Sequence, residues 1–358
     1  MVRQVGGNLA VAETGNPRMD LLRPELRAIY QDRADAIKAT YGQFILIASN
    51  FAWNNHFMVD DAKESPTEAY IRLLKRQGHI VTAADEEFHK ANLEYKAEVF
   101  DRLKRLVHRL SESFPELRIV VRPHPSENHE NWKASMKGLE NVDVLYEGEL
   151  ESWILAAKAV IHNSCTSGLL AALLNRKSIA FMPFGETRFE HELPNGVSAK
   201  ARTEDEVVAL VDASPMRQDF PDLLQEHISS LTGALASERI ADRILEAYKP
   251  GLAGSALALA MAAANALTGP FARQASERSD AAEGDEAKPR KKGFKTYKKQ
   301  KFEEITAAEV VDNVNIYRRL LGRFDDIDVR ESGAAIEIRT RKGTGDRPRA
   351  SAAPAGAV

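Results

Sequence analysis

Apolar positions along the chain follow two rhythms. Short, mainly apolar runs at Phe44 to Ala48, Leu117 to Val121, Val142 to Tyr146, Ala159 to His162 and Ser178 to Phe181 read as strands buried on both faces. Between them, apolar residues recur at three- and four-residue spacing. Phe88, Tyr95, Val99, Leu103, Leu106, Leu110 and Phe114 predict one long amphipathic helix over Glu86 to Phe114, with its Lys and Arg residues on a solvated face. Shorter helical patterns cover Trp132 to Met136, Glu149 to Ala157 and Thr166 to Leu174, and place Trp132 and Trp153 in the core. Ahead of the first strand, Pro24 opens a helical stretch carrying Leu22, Leu26, Ile29, Tyr30 and Ile37 that stops at Gly42. Strand and helix alternating at this pace predict an α/β class with a Rossmann-like, doubly wound parallel sheet over residues 43–250, after a connecting segment and helix over 1–42.

The pattern changes after Pro250. Gly251 to Pro270 has no charge and is rich in Ala, Gly, Ser and Thr, which buries little apolar area; a packed Ala-rich helix over 251–271 is expected rather than a membrane span. An acidic, Ser- and Ala-rich stretch then runs into Lys288, Arg290, Lys291, Lys292 and further lysines to Lys301, a composition that predicts a disordered linker over 272–303. Thr306 and Glu309 have the spacing of a capping box before a helix with Val310, Val314, Tyr317 and Leu321. Ile327 to Val329 and Ala335 to Ile338, joined at Ser332-Gly333, complete a small helix–hairpin element over 304–340, and 341–358 reads as a tail.

Composition adds exclusions. A chain of 358 residues with a formal charge of −3 has no global push toward nucleic acid. Its single cysteine, Cys165, rules out an intrachain disulfide framework, and no charged-then-apolar leader follows Met1, so a cytoplasmic setting is expected. The lysine-rich linker is the one feature with the chemistry for peripheral contact with an anionic inner-membrane surface. No metal-ligand spacing of His, Cys or carboxylates is present, so neither metal nor cofactor is expected.

Candidate chemistry gathers where predicted strands end. Arg122-Pro123-His124-Pro125 follows the second strand; the prolines stiffen the exit while a guanidinium and an imidazole suit a phosphate. His162-Asn163-Ser164-Cys165-Thr166-Ser167-Gly168 bridges a strand and a helix, so its small residues leave amides open to an anion at a helix N-terminus. Asn163, Ser164, Thr166, Ser167 and Gly168 therefore join Arg122, His124 and Pro125 as phosphate or nucleotide candidates. A cap on the helix from Ser164 or Thr166 is the plain structural alternative. Asn50, Asn55 and His56 follow the first strand and Glu147 and Gly148 the third, all on the edge where ligands of parallel sheets bind. His162 itself reads as an ordinary strand-end residue.

These motifs carry a resemblance. Arg122 to Pro125 followed by Ile161 to Gly168 resembles the donor-binding half of GT-B-fold glycosyltransferases that make bacterial surface polysaccharides, a group including Kdo transferases, sialyltransferase-like enzymes and CDP-glycerol polymerases. More closely, the chain resembles the bacterial surface carbohydrate biosynthesis protein family, including Thr14 to Asp20 and Gln300 to Phe302. The resemblance implies that His124, Ser164, Thr166 and Ser167 contact the phosphate of a nucleotide-sugar, that His124 is the tentative catalytic proton donor, and that the acceptor is a glycan or lipid-linked molecule. Where the group often carries a ribose-binding glutamate this chain has Leu170. The acceptor half of such enzymes precedes the donor half, so it is expected from a longer chain or a separate polypeptide. A non-catalytic nucleotide-binding or scaffold role is the alternative.

Overall fold

The strand β1 (Phe44–Ala48) is buried at every position, which only a central strand covered on both faces achieves. The computed structural model describes residues 12–57, 65–185, 187–213, 221–247, 306–332 and 335–340. The chain divides into two compact units, Met1–Phe302 and Glu303–Val358. In the first, α1 (Pro17–Asp20), a 3-10 turn (Arg27–Tyr30) and α2 (Gln31–Tyr41) precede β1. There follow α3 (Pro66–Arg76), α4 (Ala83–Ser113), β2 (Arg118–Arg122), α5 (His129–Ser135), β3 (Val142–Val144), α6 (Leu150–Ala156) and β4 (Ala159–His162). Then come α7 (Thr166–Leu173), β5 (Ser178–Phe181), α8 (Glu192–Gly196), β6 (Ala199–Ala201), α9 (Glu204–Asp212), α10 (Pro221–His227) and α11 (Ala236–Ala247).

The six strands pair in the order β3-β2-β1-β4-β5-β6, all parallel. This is the doubly wound, Rossmann-like order, whose direction of winding reverses between β1 and β4. Register then sets the site. Ala48 pairs with both Arg122 and His162, His162 with Ala180, and Ala180 with Lys200. One row thus crosses the sheet near its carboxyl edge, and the loops after these strands leave from a common level.

Alternation within the strands sends side chains to two cores. Ile45, Ile47, Ile119, Val121, Ile161 and Ile179 pack with Leu103, Leu106 and Leu110 of α4 and with Trp132. Phe44, Leu46, Val120 and Val160 pack on the opposite face with Tyr30, Ala34, Trp153, Ile154, Leu170 and Ala171. Helix α4 is 31 residues long, about 46 Å at 1.5 Å per residue. It begins at Ala83 rather than Glu86 because Thr82 and Asp85 form a capping box: Asp85 N–H donates to Thr82 Oγ1 at 3.1 Å and Thr82 N–H to Asp85 Oδ2 at 2.8 Å.

Periodicity places the bounds of β1, β4 and β5 where the structure does and misses β6. That strand reads Ala-Lys-Ala and lies at the sheet edge with Lys200 exposed, so no apolar run marks it. The helix expected from Pro24 is shorter: turns occupy the chain before Arg27, and regular α-helix starts at Gln31.

In the second unit, Thr306 and Glu309 form the expected capping box on the helix Ala307–Leu321, which Gly322 ends at φ 59°. An antiparallel hairpin follows, β7 (Ile327–Ser332) with β8 (Ala335–Thr340). The Ala-rich segment 251–271, the lysine-rich linker 272–303 with Gln300 to Phe302, and the tail 341–358 lie outside the described residues. Among the described residues no helix is long and apolar enough to cross a membrane.

Candidate functional site

At the carboxyl edge, the loops after β1 and β2 are joined through one carboxylate that sequence reasoning did not single out. Glu127 is 1% exposed. It accepts from Ser49 Oγ at 2.8 Å, Phe51 N–H at 3.0 Å, His124 N–H at 3.0 Å, Trp132 Nε1–H at 2.8 Å and, longer, Asn55 Nδ2 at 3.4 Å. Burial raises its pKa, and the donors around it oppose that rise. Asn55 is consumed in the same junction: its amide donates to Asn128 O at 3.1 Å and its oxygen accepts from Asn131 at 2.8 Å.

This junction sets His56 beside His124. Burial first, then the charge of His124, holds the His56 pKa below the ordinary histidine value. Ser126 N–H donates to His124 Nδ1 at 3.2 Å, which assigns the proton of a neutral ring to Nε2. Pro125 is half-buried in the turn between them.

Arg122 lies at the edge, as its strand position requires, with its guanidinium committed to the protein. It donates to the carbonyls of Glu147 and Gly148 and lies 4.4 Å from the centre of the Tyr146 ring. It is 5% exposed and acts as a clamp on the loop after β3. The Glu147 carbonyl also accepts from Trp153 Nε1 at 2.7 Å, while the Glu147 and Gly148 positions themselves are exposed.

The turn from β4 into α7 lies across the point where winding reverses. Asn163, buried, accepts from Asn50 N–H at 3.0 Å and donates to Asn50 O at 3.3 Å, imitating a strand partner and tying the two diverging loops together. Ser164 has φ 54°, uncommon for a residue with a Cβ, and its Oγ accepts from His191 N–H and from Asn195 Nδ2 at 3.0 Å. His162 is fully buried: Nδ1 accepts from Cys165 N–H at 3.3 Å and Nε2 pairs with Ser198 Oγ at 2.9 Å. Burial pushes its pKa down to about 3. A Cβ on Gly168 would fall 2.2 Å from His162 Nε2, so glycine is needed there to seat the ring. Leu170 is 2% exposed and belongs to the core.

What remains open is the first turn of α7. Thr166 is exposed. Ser167 is 1% exposed and its hydroxyl has no hydrogen-bond partner among the described residues. The cap position, Cys165, makes no side-chain cap, and the amides of Thr166 and Ser167 have no partner among the described residues.

A hydrogen-bonded relay connects this turn to α4, which sequence reasoning assigned to packing and a solvated basic face. Tyr95 donates its hydroxyl to Glu190, which also accepts from Asn195 Nδ2 at 3.0 Å, and Asn195 reaches Ser164. Lys96, next along α4, is half-buried and within electrostatic reach of Glu190 and Cys165. The bonds that tie Glu127 to Ser49, Phe51 and Asn55, Glu190 to Tyr95, and Asn195 to Ser164 run between distant segments, so no local spacing announces them.

A cavity of about 390 Å³ also opens at the ends of β5 and β6, lined by Met182, Gly185, Lys200, Arg202 and Glu206. None of the residues named from the sequence lines it. No cluster of His, Cys, Asp and Glu among the described residues has the arrangement to hold a metal ion.

No family model matches the chain, and no curated protein does. Among solved structures it is similar to the UDP-GlcNAc 2-epimerase of Methanocaldococcus jannaschii in complex with UDP-GlcNAc and UDP, at 14% identity over 69% of this chain and 57% of that one, with a TM-score of 0.39. A variant of the wall teichoic acid polymerase TagF is similar at 16% identity over 66% of this chain and 52% of that one, with a TM-score of 0.40. The chain thus spans little more than half the length of either. These likenesses are distant, and the Rossmann-like assignment rests on the strand order and register themselves.

Proposed function

We propose that the carboxyl edge of this sheet binds the phosphate and nucleoside of a nucleotide-linked sugar, and that the chain supplies the donor-binding part of a glycosyltransferase for bacterial surface polysaccharide. The observation that carries the reading is the open first turn of α7. Two unpartnered amides and the buried, unpartnered hydroxyl of Ser167 stand where the winding of the sheet reverses. An anion there would satisfy groups that the protein leaves without partners.

The remaining roles follow from the local chemistry. His124, with its neutral-ring proton on Nε2, is the candidate donor to a departing phosphate oxygen, and His56 beside it is a cleft residue. Glu127 positions His124 through its backbone N–H, and Asn163 and Ser164 brace the turn rather than touch the ligand. Arg122 acts at one remove, through the loop at Glu147 and Gly148. Transfer to a glycan or lipid-linked acceptor would depend chiefly on orientation and on stabilising charge at the departing phosphate.

Titration calorimetry with CMP, CDP, UMP and UDP tests the site. At least one nucleotide is expected to bind the wild type, and His124→Ala is expected to weaken it about ten-fold, as loss of one charge-assisted hydrogen bond would. Binding by the variant equal to wild type removes His124 from the site, and no binding of any nucleotide to the wild type overturns the reading.

A further inference from the structure

Helix α4 carries a polar stripe along its half-buried side, with His89 edge-on to Tyr70 of α3. His89, Asn92 and Lys96 share that face by their three- and four-residue spacing. His89 Nδ1 and Asn92 Oδ1 are buried and have no hydrogen-bond partner among the described residues. The Lys96 ammonium forms neither a hydrogen bond nor an ion pair among the described residues, although it is half-buried. Its Nζ lies 5.5 Å from the centre of the neighbouring Tyr95 ring, and that ring is tied to the turn. Tyr95 is bonded to Glu190, Glu190 to Asn195, and Asn195 to Ser164 of the β4–α7 turn. Burial lowers the Lys96 pKa, with Glu190 and Cys165 acting the other way. A cation held partly out of water beside a ring face but with no counter-ion among the described residues costs stability, so the arrangement makes physical sense when an anion completes it.

We propose that Lys96 takes a second phosphate, distal to the one received by the first turn of α7, so that the site selects a nucleoside diphosphate over the corresponding monophosphate. This rests on the nucleotide reading above and adds to it the phosphate count of the ligand. The α7 turn offers amides and one hydroxyl, enough for a single phosphate group. Lys96 is a separate point charge on a different element, and a charged, mobile ammonium suits a terminal phosphate that moves during reaction.

Paired calorimetric titrations of UMP against UDP and CMP against CDP on the full chain test it. The wild type is expected to prefer the diphosphate of at least one pair by about ten-fold, the size of one charge-assisted contact. Lys96→Met is expected to bring that ratio close to one while leaving monophosphate affinity unchanged, and Lys96→Arg to retain the preference. Because the ammonium has neither a hydrogen bond nor an ion pair among the described residues and only the Tyr95 ring beside it, Lys96→Met, which keeps the apolar stem near that ring, is also expected to melt close to wild type, which an ion-pairing structural role for the lysine would not allow. A diphosphate preference that survives in Lys96→Met, or equal binding of mono- and diphosphate by the wild type, overturns the proposal while leaving nucleotide binding intact. Absence of all nucleotide binding overturns the parent reading instead. A measurement on the wild type covers a variant that fails to fold: UDP or CDP, but not UMP or CMP, should slow reductive methylation of Lys96 relative to Lys90 on the same helix. Equal protection by mono- and diphosphate would overturn the proposal.

Discussion

Gly168 and His162 form the tightest residue-level dependence in the site. The ring lies where a Cβ on Gly168 would need to be, at 2.2 Å from Nε2, and the side chain involved is fully buried. Gly168→Ala should therefore destabilise the protein by about 2–3 kcal/mol through overpacking. Adding His162→Ser should recover part of that loss, and a double-mutant cycle from urea melts would show the coupling. Additive losses would mean that the two residues do not meet. Glu127 is the second such position. Glu127→Gln keeps the shape but turns an acceptor toward a set of donors as an amide, and should cost about 1–3 kcal/mol. Its partners His124 and Trp132 are near in sequence, but the loop it joins is not: Ser49, Phe51 and Asn55 lie 78, 76 and 72 positions earlier.

Among the elements, the loop after β3 is held by a side chain from β2. Arg122 donates to two of its carbonyls and lies against Tyr146. Arg122→Ala should cost about 1–3 kcal/mol and expose residues 146–148 to limited proteolysis, with cleavage mapped by mass spectrometry. An unchanged digestion pattern would mean that the loop is held by other contacts. Arg122 also shows what local pattern can and cannot reveal. Its place at a strand end is readable from the apolar run before it, whereas the direction of its five donors depends on a loop brought beside it by β2–β3 pairing. The same division holds for β6 and α4. An Ala-Lys-Ala edge strand has no burial pattern to read, and the half-buried polar residues of α4 look in sequence like any solvated helix face.

Across the whole molecule, the buried His162 links acid stability to the integrity of the sheet. Its pKa falls from 6.5 to about 3 on folding, because the ring is desolvated at the end of β4. Between those values the unfolded chain binds a proton that the folded protein does not, so this contribution to stability is complete above about pH 6.5 and is lost as pH falls toward about 3. One proton corresponds to a slope of about 1.4 kcal/mol per pH unit in that window. Urea melts at stepped pH should show His162→Gln flattening the acid limb relative to wild type. Parallel curves for the two proteins would show that His162 does not control it.

Local pattern alone determined the α/β class, the ends of β1, β4 and β5, the long helix and the two motifs at the ends of β2 and β4, because burial and helix capping are written in spacings of a few residues; β2 runs Arg118–Arg122, one residue later than its apolar run. Tertiary structure decided the strand order and the reversal between β1 and β4. It also decided which polar groups are consumed by the protein, Asn55, Arg122, Asn163 and Ser164, and that the Ser167 hydroxyl has no hydrogen-bond partner among the described residues. Partnering is non-local: a side chain's hydrogen bonds depend on segments that become neighbours only when the sheet assembles. For that reason a motif can announce a site, while the roles within it wait for the fold.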